Sequence, residues 1–434
     1  MSQPQQPNII FIVVDDCGYA DLGCTGQTGY ATPALDRLAA EGMRFTQAYA
    51  NASLCTNTRV ALITGRYQYR LPLGLVEPLR AAHRDLPDMG IPADFPTLPA
   101  LLRGVGYRTA LIGKWHLGYL PRYGPLRGGY DEFFGIMGGF TGYYTHRGDG
   151  GEPDLYEGET PVDRVGYVTD MLSERACAYA GAASGSSKPY FLSLHYTAPH
   201  WPWSTPSHEA AARVRELDRN ELLAGGSIKI YAEMMQILDR GIGEVIDAVR
   251  QSGENTLVLF TSDNGGERYS KIWPFVGRKF DLLEGGLRVP QIAWWPARIP
   301  EGSVTDQVCI TMDLTATCLE AAGVAPDPHY PLDGESLLHL MTDRNPTWER
   351  ILYWRMANRR QRAVRRGDWK YLKVNDRELL FDLGFDVRER DDHAARNPEC
   401  LNELRELWEK WNAEMLPMGD YEVPSVSGIT DMLW

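Results

Sequence analysis

Four short runs of almost uninterrupted apolar residues, rich in β-branched side chains, recur along the chain: "NIIFIVV" (8–14), "RTALIG" (108–113), "YFLSLHY" (190–196) and "TLVLFTS" (256–262). Runs this short and uniformly apolar predict strands buried on both faces, as in a parallel sheet covered by helices. Each leads into polar residues: Asp15 and Asp16, then Lys114 and His116, then His200, then Asp263 and Asn264. Helical periodicity fills the intervals. "TPALDRLAAEG" puts Thr32 at the N-cap, Pro33 at the first helical position and Gly42 just past the end, and residues 227–253 form a longer amphipathic pattern. "NASLCTNTRVALITGRY" (51–67) predicts a short buried helix with Cys55 to Arg59 in its first turn and Gly65 at its close. Strands alternating with helices predict an α/β fold with a large, mostly parallel sheet. In such sheets ligands bind beyond the carboxyl ends of the strands.

After residue 345 the pattern changes to short alternating segments, "ILYWRMANRRQRAVRRGDWKYLKVNDRELLFDL", followed by a charged helical stretch from Pro398 to about Met415. This predicts a small C-terminal antiparallel sheet plus helix. The expected organisation is an α/β catalytic domain over 1–344 with an α+β subdomain over 345–434 packed on it. Residues 66–96 and the glycine-rich stretch 124–151 read as long loops, which in compact domains are commonly functional.

Composition narrows the partners. A chain of 434 residues with 44% hydrophobic and 11% aromatic content can fill a large core. The net charge of -13 argues against nucleic acid or an anionic membrane as partner, so an anionic ligand needs local cations. Seven cysteines without a C-x-x-C pair do not make a disulfide framework. The start "MSQPQQPNIIFIVVDD" lacks the basic region and cleavage site of a secretory signal, and its apolar run is too short for a membrane span, so a cytoplasmic location is expected.

Asp15, Asp16, Asp263 and Asn264 offer oxygen ligands from the ends of two strands, a set that suits a hard cation such as Ca²⁺ or Mg²⁺ rather than structural zinc. Lys114 and His116 lie two apart in "GKWHLG", His200 sits in "APHWPW", and Lys279 lies in "GRKFDLLEGGLRVP".

Taken together, "NIIFIVVDDCGYADLGCTG", the stretch from "TPALDRLAAEG" to "NASLCTNTRVALITGRY", "GKWHLG", "TSDNGG" and "GRKFDLLEGGLRVP" resemble the successive signature blocks of the type I, formylglycine-dependent sulfatases of the alkaline phosphatase superfamily. "RRGDWKYLK" followed by "ELLFDL" resembles the C-terminal subdomain of that family, so the likeness spans nearly the whole chain. The resemblance implies an alkaline phosphatase-like mixed sheet and hydrolysis of an aryl, alkyl or carbohydrate sulfate ester to an alcohol and sulfate. It implies that Cys55 is oxidised by a formylglycine-generating enzyme to an aldehyde whose hydrate supplies the attacking oxygen. One divalent cation, Ca²⁺ first with Mg²⁺ or Mn²⁺ as alternatives, would be held by Asp15, Asp16, Asp263, Asn264 and the modified Cys55. Arg59 would support the formylglycine, Lys114 and Lys279 would hold sulfate oxygens, His200 would protonate the leaving alcohol, and His116 would assist the diol.

One position departs from the family motif C-x-P-x-R: Asn57 stands where proline is usual. This leaves open three readings, namely a modified Cys55, an unmodified site in which the thiol, Thr56 or Thr58 acts and phosphate esters are preferred, and a protein that binds sulfated ligands without turnover. A phosphonate monoester or phosphodiester hydrolase is the nearest alternative activity. A second cation cluster from Arg66, Arg70, Arg80, His83 and Arg84 would favour it. Trp115, Trp201, Trp203 and Trp273 are candidates for stacking on a sugar or aryl ring. The apolar tail "VPSVSGITDMLW" could dock on a second copy, making a homo-oligomer.

Overall fold

The computed structural model of the chain describes residues 6–148, 150–183, 185–218, 225–296, 298–343 and 346–418. The tail 423–434 and the proposed domain boundary at 344/345 lie outside these residues.

The four apolar runs are adjacent in the middle of a ten-stranded sheet, in the order Thr256–Ser262, Asn8–Val14, Tyr190–His195, Arg108–Lys114, all parallel. Glu132–Ile136 continues the parallel set beside Arg108–Lys114. Gln291–Trp294 pairs antiparallel with Thr256–Ser262, which makes the sheet mixed. The central strand divides its side chains by the period of two. Ile9, Phe11 and Val13 enter one core, and Ile10, Ile12 and Val14 the other. The second core is capped by the helices Pro33–Ala40, Val168–Ala183 and Ile228–Ser252, and the first by Cys55–Thr64, Leu98–Gly104 and Met312–Ala321.

A four-stranded antiparallel sheet runs in simple order through Ile351–Met356, Gln361–Arg366, Trp369–Val374 and Arg377–Asp382, and the helix Pro398–Ala413 packs on it. Its apolar face, including Trp354, Leu372 and Leu380, shares a third core with Tyr49, Leu54, Ala61 and Leu287 of the larger unit. The helix Cys55–Thr64 is therefore enclosed on two sides. All ten of its residues are buried, although its sequence has no amphipathic face.

Two expectations need correction. The stretch 124–151 is not all loop, because "EFFGI" at Glu132–Ile136 is a core strand; five residues between glycine-rich flanks are too few to carry a periodic signal. Thr32 occupies the N-cap position but does not cap the helix Pro33–Ala40. Its hydroxyl accepts from the Gly23 amide at 2.8 Å, while the first-turn amides of Ala34 and Leu35 donate to the two oxygens of Asp239, at 3.0 and 2.9 Å. A full negative charge from a neighbouring helix answers the positive end of the helix dipole better than a hydroxyl does.

Candidate active site

The polar residues that follow the strands converge at the carboxyl edge of the sheet. Cys55, Asp15 and Asp263 place ligand atoms within 4.8 Å of one another, as do Asp15, Asp16 and His200. Asp16 reaches its position through a left-handed backbone with φ of 66°, and His116 through one of 56°. The helix of Cys55 begins at the site with Leu54 at its N-cap, a residue with no side-chain acceptor, so the positive end of that helix faces the cluster.

Cations and anions alternate through the cluster. Lys114 Nζ donates to Asp15 Oδ2 at 2.5 Å, and Lys279 Nζ lies 2.7 Å from Asp16 Oδ1 and 2.9 Å from Oδ2. Arg59 donates to Asp263 Oδ2 through Nε at 3.1 Å and a terminal nitrogen at 2.8 Å. Asn264 Nδ2 donates to Asp16 Oδ1 at 2.7 Å. That orientation leaves Asn264 Oδ1 without a partner, and Asp15 Oδ1 is likewise buried and unpaired. Buried oxygens are seldom left so. Two orphaned oxygens among three carboxylates form a donor set that fits a hard divalent cation.

Burial dominates the titration of the site. It raises the Cys55 thiol above its usual value even though Lys114 and Lys279 pull the other way, so the unmodified thiol is protonated at neutral pH. Burial pushes Asp263 up to about 6, assisted by Asp15 and opposed by Arg59. Burial is the largest single influence on Lys279 and lowers it, but Asp16, Cys55 and Asp15 together outweigh burial and hold its ammonium well above the ordinary lysine value. His116 and His200 are both held well below the usual histidine value, first by burial and then by Lys114 and Lys279 respectively. A neutral His200 that donates from Nδ1 to the Trp201 carbonyl at 2.6 Å leaves Nε2 as an acceptor, 3.6 Å from Asp16 Oδ2.

Four of these groups open onto a cavity of about 260 Å³, with the carboxylates beneath them. Cys55, His116, His200 and Lys279 line it below; Leu79, Tyr119, Phe140, Trp201 and Phe280 form the walls; Arg80 and Glu267 are its other charged residues. Of the four tryptophans considered, Trp201 alone lines this cavity. Trp115 is buried and bonds the Tyr123 carbonyl, Trp203 packs on Tyr269, and Trp273 lies exposed under the Arg388 guanidinium. The second cation cluster is not assembled either. Arg70 is paired with Asp333, Arg66 lies over Tyr330, Arg84 pairs with Glu152 and His83 turns back to accept from the Arg80 amide at 2.9 Å, which leaves Arg80 at the cavity. Neither threonine of "CTNTR" lines the cavity. Thr56 accepts from the Leu79 amide and contacts His116 at 3.0 Å, and Thr58 exchanges two bonds with the Ala52 backbone. Asn57 also faces away, its Nδ2 donating to the Gly74 carbonyl at 2.8 Å, so the residue in place of the motif proline ties the helix to the turn before the cavity wall.

Sequence reading missed several contributors. His195, the last residue of its strand, meets Arg59 at 3.2 Å and the Lys114 carbonyl at 3.3 Å. The C-terminal sheet and the loop after it grip the lysine loop: Gln361 accepts from the Leu282 amide at 2.9 Å and donates to the Phe280 carbonyl at 2.8 Å, and Glu389 accepts from the Glu284 amide at 2.6 Å. Glu284 in turn receives Lys370, Arg288 and the Tyr49 hydroxyl, all buried. Asp154, buried beneath the segment that leads to Gly139 and Phe140, accepts from the amides of Met137 and Gly138, both at 3.1 Å. Burial lifts its carboxyl to about 7 despite those donors. A carboxyl whose folded value exceeds its unfolded value favours the fold when protonated. Its contribution therefore fades as pH rises from about 4 to 7. Melting curves across that window are expected to show a smaller loss of stability with rising pH in Asp154→Asn than in the wild type.

Three carboxylates and an amide with orphaned oxygens, two lysines, two histidines and a buried cysteine at a helix start define a hydrolase site for an anionic ester. The chain belongs to the sulfatase family: residues 7–324 match the sulfatase family model, and residues 274–414 match that of the N-sulphoglucosamine sulphohydrolase C-terminal region. It is thereby a sulfuric ester hydrolase. Among its relatives are the N-acetylgalactosamine-6-sulfatases of Canis lupus familiaris, 34% identical with 81% of this chain and 69% of the relative covered, and of Homo sapiens, 32% identical with the same coverage. Arylsulfatase G of Mus musculus is 31% identical over 80% of this chain and 71% of its own. The crystal structure of Ps i-CgsB, also solved with a neocarrahexaose, is 30% identical and superposes with a TM-score of 0.82 over 94% of this chain and 93% of that one.

Proposed function

We propose that the protein hydrolyses a sulfate monoester of a carbohydrate, releasing the sugar alcohol and inorganic sulfate. The observation that carries this reading is the meeting of Cys55 with Asp15 and Asp263 at the floor of a cavity walled by aromatic side chains. Relatives named for action on, or solved with, carbohydrates support the sugar. The separate pairing of Arg66, Arg70 and Arg84 supports a sulfate monoanion over a phosphate dianion, because one cation fewer is needed at the transferring group.

Asp15, Asp16, Asp263 and Asn264 would hold the divalent cation, Ca²⁺ before Mg²⁺ or Mn²⁺. When present, the cation supplies positive charge against the sulfate oxygens and formylglycine at position 55 supplies a hydrated-aldehyde nucleophile. Around them the chain does the rest. Lys114 and Lys279 stand with fixed charges where negative charge grows on the ester oxygens. Arg59, locked on Asp263, orients the floor beneath residue 55. His200, neutral in the free site, takes up a proton at Nε2 as the sulfate anion offsets Lys279, and delivers it to the departing sugar oxygen. His116, held by the Leu79 carbonyl at 2.8 Å, is placed to take a proton from the oxygen on residue 55.

The test is turnover of 4-nitrophenyl sulfate and N-acetylgalactosamine 6-sulfate by protein from its native host, before and after EDTA. Chelation is expected to abolish both activities, with Ca²⁺ restoring them and raising the melting temperature. Turnover of both esters that persists through exhaustive chelation would refute the cation site.

A further inference from the structure

The wall that follows Asn264 carries a group the hydrolytic chemistry does not use. Glu267 lines the cavity, is only 9% exposed, and its Oε2 is buried with no hydrogen-bond partner. The carboxylates of the floor all engage a lysine, arginine or asparagine, whereas this oxygen has neither a cation nor an N–H donor. An acceptor left so inside a protein forfeits its hydration without compensation until a donor arrives.

The loop that carries Glu267 is built to keep it in place. The Lys279 amide donates to the Gly266 carbonyl at 3.0 Å, and the Ser270 amide to the Glu267 carbonyl at 3.0 Å. Behind it the buried Asp21 accepts from the Ser270 hydroxyl, the Lys271 amide and the Tyr231 hydroxyl at 2.5, 2.8 and 2.6 Å. Elsewhere in the cavity, Phe140 and Trp201 meet with ring centroids 4.3 Å apart and flank His200, which Phe140 stacks at an interplanar angle of 9°. Aromatic faces take the C–H face of a sugar ring, and a carboxylate takes its hydroxyls.

Resting on the sulfatase reading above, the geometry points to Glu267 as a specificity-determining residue that accepts a hydroxyl hydrogen bond from the sugar bearing the scissile sulfate. Its negative charge also sets a rule for the substrate: the ring presents a donor to Glu267, and a second sulfate or a carboxylate on that side is rejected by charge repulsion. On the side that faces Glu267 the site thus selects a ring free of any further anionic group.

Glu267→Ala and Glu267→Gln, assayed on 4-nitrophenyl sulfate and on N-acetylgalactosamine 6-sulfate, separate this role from a structural one. The aryl ester has no hydroxyl to offer. Glu267→Ala is expected to lower kcat/KM on the sugar sulfate by about 10–100-fold while leaving the aryl sulfate within about threefold. Glu267→Gln retains an acceptor oxygen and is expected to recover most of the loss. The 3-deoxy or 4-deoxy sugar sulfate that lacks the bonded hydroxyl should be a poor substrate for the wild type, with no further penalty in Glu267→Ala. Equal losses on both esters, an unchanged sugar sulfate rate, or a wild type that cleaves the aryl ester and no sugar sulfate would overturn the assignment. A wild type inert to the aryl ester and the sugar sulfate alike would instead overturn the sulfatase reading, and the subsite with it.

Discussion

Cys55→Ala is expected to remove turnover of 4-nitrophenyl sulfate by at least about 10⁴-fold in kcat/KM while the protein still folds. The loss follows from the surroundings of the residue. Among the described residues no serine, threonine or second cysteine lines the cavity: Thr56 lies outside it, engaged with His116 and Leu79, and Thr58 with the Ala52 backbone. Folding survives because the exchange removes one buried sulfur, a change on the order of 1 kcal/mol. The companion measurement is a mass spectrum of the peptide spanning residue 55, in which an aldehyde is expected in place of the thiol. A wild-type thiol accompanied by full activity would sink the formylglycine reading, and residual activity in Cys55→Ala would point to another nucleophile.

Glu284→Ala carries the largest expected cost in stability, about 3–5 kcal/mol in urea unfolding. Its carboxylate is fully buried, with Lys370 at 2.9 Å, Arg288 at 2.8 Å and the Tyr49 hydroxyl at 2.7 Å. Removing it leaves Arg288 without its carboxylate and Lys370 with Glu389 alone at 2.8 Å. Burial resists the charge on Glu284, yet Lys370 and Arg288 win and hold its carboxyl far below the usual range, whereas burial and the neighbouring Glu284 raise Glu389. A depressed value means that the stabilisation by Glu284 is in force above the ordinary glutamate value and fades below it as acid is added, so wild type and Glu284→Ala should converge in stability at low pH. Activity is expected to fall as well, because Glu284 is the near end of the loop that presents Lys279. An unfolding midpoint equal to that of the wild type at neutral pH would refute this account.

The sheet was legible because its four central strands are buried on both faces, and uninterrupted apolar runs record that burial directly. The metal-ligand candidates were legible for the same reason, since Asp15, Asp16, Asp263 and Asn264 are the first residues past strand ends. Lys279 has no strand before it and stood out through the resemblance alone. His195 escaped notice because a histidine within an apolar run reads as core. Glu284, Lys370 and Glu389 could not be paired from sequence at all: buried ion pairs between distant segments obey no spacing rule, and each looks like an ordinary surface charge in one dimension. The tryptophans illustrate the converse, as abundance in the chain did not translate into presence at the cavity.

The enclosure of the helix Cys55–Thr64 between two cores has a bearing on how the protein is made. A ribosome releases this helix early, whereas the residues that close over it and fix the lysine loop, Trp354, Gln361, Lys370 and Glu389, emerge in the last quarter of the chain. Until those segments emerge, one face of the helix has nothing to pack against; once they close over it, residue 55 is reached only through the cavity. An enzyme acting on that cysteine would therefore find it easier to reach before the last quarter of the chain has packed than after.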